Sequence, residues 1–210
     1  MVTRLKAPVP VQGDNNKESL GLVHVYTGDG KGKTSAALGL AMRALGNNLR
    51  VQMIQFLKSG DTGELYTVRK FLPDMRIIQF GVEALSDKQS RIFEFDATTQ
   101  EEMGEGAFTF QPDKAEKEAC RRGLEYAKNV IESGEWDLVI LDEINCVLDK
   151  ELLPIEDVLA LVKDHGKVEL VLTGMDAPND IKEAADYVSH ISRMKHPWQK
   201  GIKARKGIEY

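Results

Sequence analysis

Between an apolar run, Leu22-Val23-His24-Val25-Tyr26, and a helix-patterned segment, Ala36 to Leu45, lies Thr27-Gly28-Asp29-Gly30-Lys31-Gly32-Lys33-Thr34-Ser35. A strand that enters a glycine-rich turn and leaves it as a helix leaves few folds open, because the helix must pack back onto the sheet the strand belongs to. Such a turn cradles phosphate. Backbone N–H groups converge in it, and the helix dipole adds partial positive charge at the same place. The spacing G-x-x-x-x-G-K-[ST] would require glycine at position 27, where this chain has Thr27; Gly32-Lys33-Thr34 fits it. Lys33 is then expected to meet the phosphates as a point charge and the Thr34 hydroxyl to ligate Mg²⁺. Gly28, Asp29, Gly30, Lys31, Gly32 and Ser35 complete the expected cradle. These residues point to a protein that binds a nucleotide.

From Gly21 onward, strand and helix patterns alternate. The expected strands are Leu22–Tyr26, Val51–Phe56, Arg76–Phe80, Leu138–Leu141 and Val168–Leu172, with a weaker one at Tyr187–Ser192. They are short and apolar on consecutive positions, as parallel strands covered on both faces should be. Helices are expected at Ser35–Leu45, closed by Gly46 as a C′ residue, at Gly63–Leu72, from Pro112 onward, and at Pro154–Lys163 and Asn179–Ala185. The reading is an α/β chain: a doubly wound, mostly parallel sheet flanked by helices. At 210 residues the chain suits one such domain, residues 21–210, preceded by an extended arm at 1–20 that Pro8 and Pro10 keep from helix. Residues 83–105 break the pattern with seven acids against two bases, and read either as a solvated excursion or as a lid.

Composition narrows the function. The apolar fraction is 42%, and no apolar run approaches the ~20 residues of a membrane span. The N-terminus lacks the apolar core of a secretory signal, so the expected compartment is the cytoplasm. A net charge of −5 gives no reason to expect nucleic acid as a partner. Cys120 and Cys146 have no C-x-x-C spacing and are expected to be small core residues.

A second motif, Trp136-Asp137-Leu138-Val139-Ile140-Leu141-Asp142-Glu143, is an apolar strand ending in two carboxylates. An aspartate at such a tip stands near the Mg²⁺ of a nucleotide, so Asp142 takes that role, and Glu143 either joins the metal shell or acts as a base. These motifs alone leave the reaction open; a P-loop ATPase or kinase of RecA-like type satisfies them too.

The order of motifs resembles the corrinoid adenosyltransferases of the P-loop, RecA-like type. The matching segments are Val25-Tyr26-Thr27-Gly28-Asp29-Gly30-Lys31-Gly32-Lys33-Thr34, Arg43-Ala44-Leu45-Gly46, Gln55-Phe56-Leu57-Lys58, Gly106-Ala107-Phe108-Thr109-Phe110, Val139-Ile140-Leu141-Asp142-Glu143, Leu172-Thr173-Gly174, and in the tail Lys195-His196 with Gly201-Ile202-Lys203-Ala204-Arg205-Lys206-Gly207-Ile208-Glu209-Tyr210. The resemblance implies that MgATP gives its 5′-deoxyadenosyl group to the Co(I) of a reduced corrinoid and that inorganic triphosphate is released. It implies that Phe108 and Phe110 pack beneath the corrin, where apolar rings disfavour the lower axial ligand of Co(II); on the residues alone, Phe-Thr-Phe reads as a strand joining the core. A flavoprotein reductase and a homodimer are implied as well. Asp29 stands where some relatives have Asn and either turns outward to cap the loop or meets the metal. Met175 stands where some carry Arg.

Overall fold

The computed structural model describes residues 17–60, 62–81 and 114–209. Its strands are β1 (Val23–Thr27), β2 (Val51–Phe56), β3 (Met75–Phe80), β4 (Leu138–Asp142), β5 (Glu169–Thr173) and β6 (Tyr187–His190). The helices among the described residues are α1 (Lys33–Leu45), α2 (Gly63–Phe71), α3 (Lys114–Glu132), α4 (Ile144–Asp149), α5 (Ile155–Lys163) and α6 (Asn179–Glu183). The strands form one sheet in the order β3-β2-β4-β5-β1-β6, and every pairing is parallel. All the strands therefore point their C-terminal ends to one edge, where open α/β sheets bind ligands.

Burial explains the two-sided winding. All of β2 and β4 is buried, as central strands covered on both faces are, and this takes Gln52, Gln55 and Asp142 into the interior with their apolar neighbours. On one face, Ala37, Ala41 and Ala44 of α1 recur at helical spacing and meet Met53, Leu138, Ile140 and Val171, with Val68 of α2 alongside. Small side chains let α1 lie close to the sheet, which sets the height of the loop before it. On the other face, Leu124, Ala127 and Ile131 of α3 pack with Ile54, Phe56, Val139 and Leu141, together with α4, α5 and Ile181 of α6. Fully burying a side chain the size of Phe56 stabilises the fold by ~1.5–3 kcal/mol.

Three expectations are amended. The strand at Tyr187–Ser192 ends at His190, and as an edge strand paired to β1 alone it is exposed throughout. Gly46 keeps a right-handed helical conformation, and the reversal after α1 falls on Asn48, at φ 57°. Helix α4 went unanticipated: it has six residues, five of them buried, and only Glu143 separates it from β4. Pro112, residues 83–105 and residues 1–16 of the arm lie outside the described residues. Lys17, within the expected arm, is in a short 3-10 turn and pairs with Asp137 at 2.8 Å.

Candidate functional site

The C-terminal edge of the sheet gathers most of the residues singled out above. Strand β1 ends in Thr27, whose hydroxyl accepts a hydrogen bond from the Ala177 amide at 3.0 Å, so this residue ties the loop to the segment before α6. Gly28 follows with φ 102°. A Cβ there would come within 2.4 Å of the Ile191 carbonyl oxygen, and one at Gly30 within 2.7 Å. Both glycines are thus required by the backbone that follows β6. The Gly30 amide donates to the Ile191 carbonyl at 2.8 Å, so its N–H serves the loop's seat.

Asp29 turns outward. Its carboxylate accepts from the Arg193 amide at 2.9 Å and pairs with the Arg193 guanidinium at 3.4 Å. The hydrogen bond from the Arg193 amide, aided by the Arg193 charge, holds the Asp29 carboxyl below the usual carboxylate range. Its carboxylate thus faces the segment after β6. Lys31 pairs with Glu209 of the tail at 2.9 Å. Hydrogen bonds from Arg205 and Lys31 hold the Glu209 carboxyl down at about 2. The tail motif of the sequence is therefore folded against the loop.

Gly32 precedes α1 without a side-chain cap, which leaves the helix's first amides for an anion. Lys33 curls back over the loop and donates to the Gly28 and Gly30 carbonyls at 2.7 and 2.8 Å. Ser35 is exposed in the first turn of α1. Thr34 reaches across the sheet edge, and its hydroxyl donates to Asp142 Oδ1 at 2.9 Å. That single bond joins the glycine loop to the acidic strand tip.

Asp142 is 0% exposed and is held on both oxygens. Oδ1 accepts from the Thr34 and Thr173 hydroxyls, the latter at 2.7 Å. Oδ2 accepts from the Gln55 amide at 3.0 Å and from the Lys58 ammonium at 2.7 Å. Burial pushes the Asp142 carboxyl up, but Lys58 and these hydrogen bonds outweigh it and hold the group below the usual range. Burial likewise pulls Lys58 down, and the Asp142 charge more than restores it.

Glu143 sits beside Asp142 in the left-handed region, at φ 66°. Its amide donates to the Thr173 hydroxyl at 3.0 Å, and its carboxylate accepts from the Cys146 thiol at 3.0 Å. Burial, then the Glu143 charge, push the Cys146 thiol up, so it stays protonated and able to donate. Cys146 and Cys120 are both buried, as expected.

Lys33, Thr34, Asp142 and Glu143 thus stand at one edge, while Phe108 and Phe110 lie outside the described residues. Gln55, Lys58 and Thr173 were not anticipated as site residues. The signal was available: Gln55 and Thr173 are polar residues at the C-terminal ends of mostly apolar strands, and Lys58 comes two residues after such an end. Gln55 also donates to Glu64 of α2 and accepts from Gln79 of β3, so the network crosses the sheet edge. Among the described residues, no group of three or more His, Cys, Asp and Glu gathers as a protein-only metal cage.

The comparisons converge on one family. A family model described as ATP:corrinoid adenosyltransferase BtuR/CobO/CobP matches residues 19–210. A corrinoid adenosyltransferase of Escherichia coli K12 is 30% identical over 208 residues, covering 99% of this chain and 94% of that protein. One from Pseudomonas aeruginosa is 31% identical over 211 residues, covering 99% and 92%. One from Salmonella typhimurium LT2 is 30% identical over 210 residues, covering 99% and 94%.

Proposed function

The chain belongs to the ATP:corrinoid adenosyltransferase family, and on that premise we propose how its own residues carry out the transfer. The reaction moves the 5′-deoxyadenosyl group of ATP to the cobalt of a reduced corrinoid. The Co(I) electron pair forms the Co–C5′ bond, the C5′–O bond breaks, and its electrons leave with inorganic triphosphate. Cobalt ends formally as Co(III). No proton has to be removed from a nucleophile, so no general base is needed.

In this reading the loop from Gly28 to Ser35 is a P-loop, and its task is to hold the leaving group. Lys33 swings from the Gly28 and Gly30 carbonyls onto the triphosphate, and the α1 amides complete the anion site. Thr34, Asp142 and Glu143 would hold Mg²⁺. The donors are a hydroxyl and two carboxylates, all oxygen. That suits a hard cation which takes few protein ligands and keeps several waters. When bound, Mg²⁺ neutralises charge on the triphosphate oxygens. Asp142 is the fixed member, locked by four donors, and Glu143 completes the polar rim. Holding ATP so that C5′ faces the corrin turns an encounter into an intramolecular-like step.

The observation that supports this reading best is the Thr34–Asp142 hydrogen bond, which brings the two motifs to hydrogen-bonding distance. Incubation with MgATP and chemically reduced cobalamin is expected to give a light-sensitive alkyl-cobalt spectrum and inorganic triphosphate. Orthophosphate released beside an unchanged corrin would mean hydrolysis and would overturn the reading.

Phe108 and Phe110 serve, in the same reading, as the apolar platform beneath the corrin that eases reduction of Co(II). Phe110→Ala should slow turnover by ~10-fold when the enzyme starts from Co(II) and a reductase, and much less from pre-reduced Co(I). Equal losses in both assays would remove the platform role. The family resemblance further supports a flavoprotein reductase as electron donor, work as a homodimer and a cytoplasmic setting. No helix among the described residues is long and apolar enough to cross a membrane.

A further inference from the structure

We infer that Lys58 is a triphosphate-binding residue, a second cation that meets the leaving group from the far side of the Asp142 carboxylate from the loop. The inference rests on the adenosyl-transfer reading above.

Its seat is built for a fixed position. Lys58 follows β2, whose Gln55 lies in register with Asp142 on β4. Leu57, just before it, has φ 58°, a left-handed conformation that costs a non-glycine residue ~1–2 kcal/mol and turns the chain sharply out of the strand. Such strain is kept where a side chain must be aimed. On the far side, Gly81 at the end of β3 lets the backbone close in, since a Cβ there would come within 2.4 Å of the Lys58 carbonyl oxygen.

The ammonium that this backbone delivers stands on Oδ2 of the carboxylate whose Oδ1 holds Thr34. Lys58 and the first turn of α1 are therefore separated by one carboxylate group. Asp142 takes one of the three donors of an ammonium, so two remain for an anion lying beside Thr34. The side chain is 23% exposed, which sets the charged end at the boundary between the buried network and the open sheet edge. A charge there is less screened than one in bulk water, and it acts more strongly on phosphate oxygens.

The other cations around the loop are committed outward. Lys31 and Arg205 are tied to Glu209, and Arg193 is tied to Asp29. Lys33 lies on the loop's own carbonyls and Lys58 on the Asp142 carboxylate, so both stand where the loop and the strand tip meet. A leaving group that gains negative charge as its bond to carbon breaks is best met from two sides.

A simpler role exists: Lys58 only balances the charge of buried Asp142. The two are separated by removing Asp142's charge first and then asking what Lys58 still does. Binding of inorganic triphosphate is measured by calorimetry in EDTA, so that neither metal nor corrinoid is involved. Four proteins are compared: wild type, Asp142→Asn, Lys58→Met, and the double variant Asp142→Asn/Lys58→Met. In the Asp142→Asn background there is no charge left to balance. Loss of Lys58 there is still expected to weaken triphosphate binding by about 10- to 100-fold, the worth of one charge-assisted hydrogen bond. Lys58→Arg in the same background should hold the affinity within about threefold, because the cation is kept. Equal affinity of Asp142→Asn and the double variant overturns the inference. Lys58→Gln repeats the comparison with a polar neutral side chain if the methionine variant does not fold. The parent reading fails in a different assay, by the absence of an alkyl-cobalt product from wild type, so the two failures cannot be confused.

Discussion

Alanine in place of Lys33 is expected to lower kcat for adenosyl transfer by about a thousandfold, the scale seen when one donor to a growing oxyanion is removed. The cause is local. The Lys33 ammonium bridges the Gly28 and Gly30 carbonyls at 2.7 and 2.8 Å and is the charge nearest the uncapped start of α1. Two effects combine on its loss: the loop loses the strut that links its carbonyls, and the departing triphosphate loses a cation. Measuring at saturating ATP separates them, because a loosened loop raises KM while a missing transition-state contact lowers kcat. Stopped-flow recording of the alkyl-cobalt spectrum from pre-reduced cobalamin gives both constants. A folded Lys33→Ala protein that keeps kcat within about tenfold of wild type would remove Lys33 from the chemistry.

The second large effect is on stability. Asp142→Ala should destabilise the fold by ~3–5 kcal/mol, because it strands the half-buried Lys58 charge and leaves the Thr34, Thr173 and Gln55 donors without their acceptor. For a chain of this size that corresponds to a fall in Tm of roughly 10 °C. The pH dependence follows from the sign of the shift. The Asp142 carboxyl is held below its unfolded value in the native state, so its contribution is complete above the unfolded pKa of ~3.9 and is lost as pH falls through the native value. Wild type should therefore lose Tm steeply below about pH 4, and Asp142→Asn should lack that component of the slope. Thermal melts of both proteins from pH 7 downward are the check. An alanine variant that melts within about 2 °C of wild type would show that the buried pair contributes little.

Much of this architecture could be read from residue order. The Val51–Phe56 strand was bounded correctly because its apolar residues lie between the polar Arg50 and the Lys58-Ser59-Gly60 turn, and the end of α1 was read correctly because Gly46 follows it, although the helix starts at Lys33, two residues before the expected Ser35. The glycine loop between a strand and a helix at Thr27–Ser35 and the acidic strand tip at Asp142-Glu143 were also legible, since both have local spacing. What escaped was whatever depends on neighbours brought together by the fold. Gln55, Lys58 and Thr173 take their meaning from Asp142, which is 87, 84 and 31 residues away from them. Asp29 meets the Arg193 amide, 164 residues later, a contact that local spacing does not show. Thr27, the one departure from the loop's usual spacing, is explained only by the Ala177 amide 150 residues on. Helix α4 was hidden for a different reason: six residues are too few to show a period.

The seating of the Gly28–Gly30 backbone on Ile191 also bears on how the protein is made. A ribosome releases the loop's residues early, but the strand and carbonyl that shape them are among the last fifth of the described chain to emerge. Until β6 has joined β1, the nascent polypeptide holds the wording of a nucleotide site without its form.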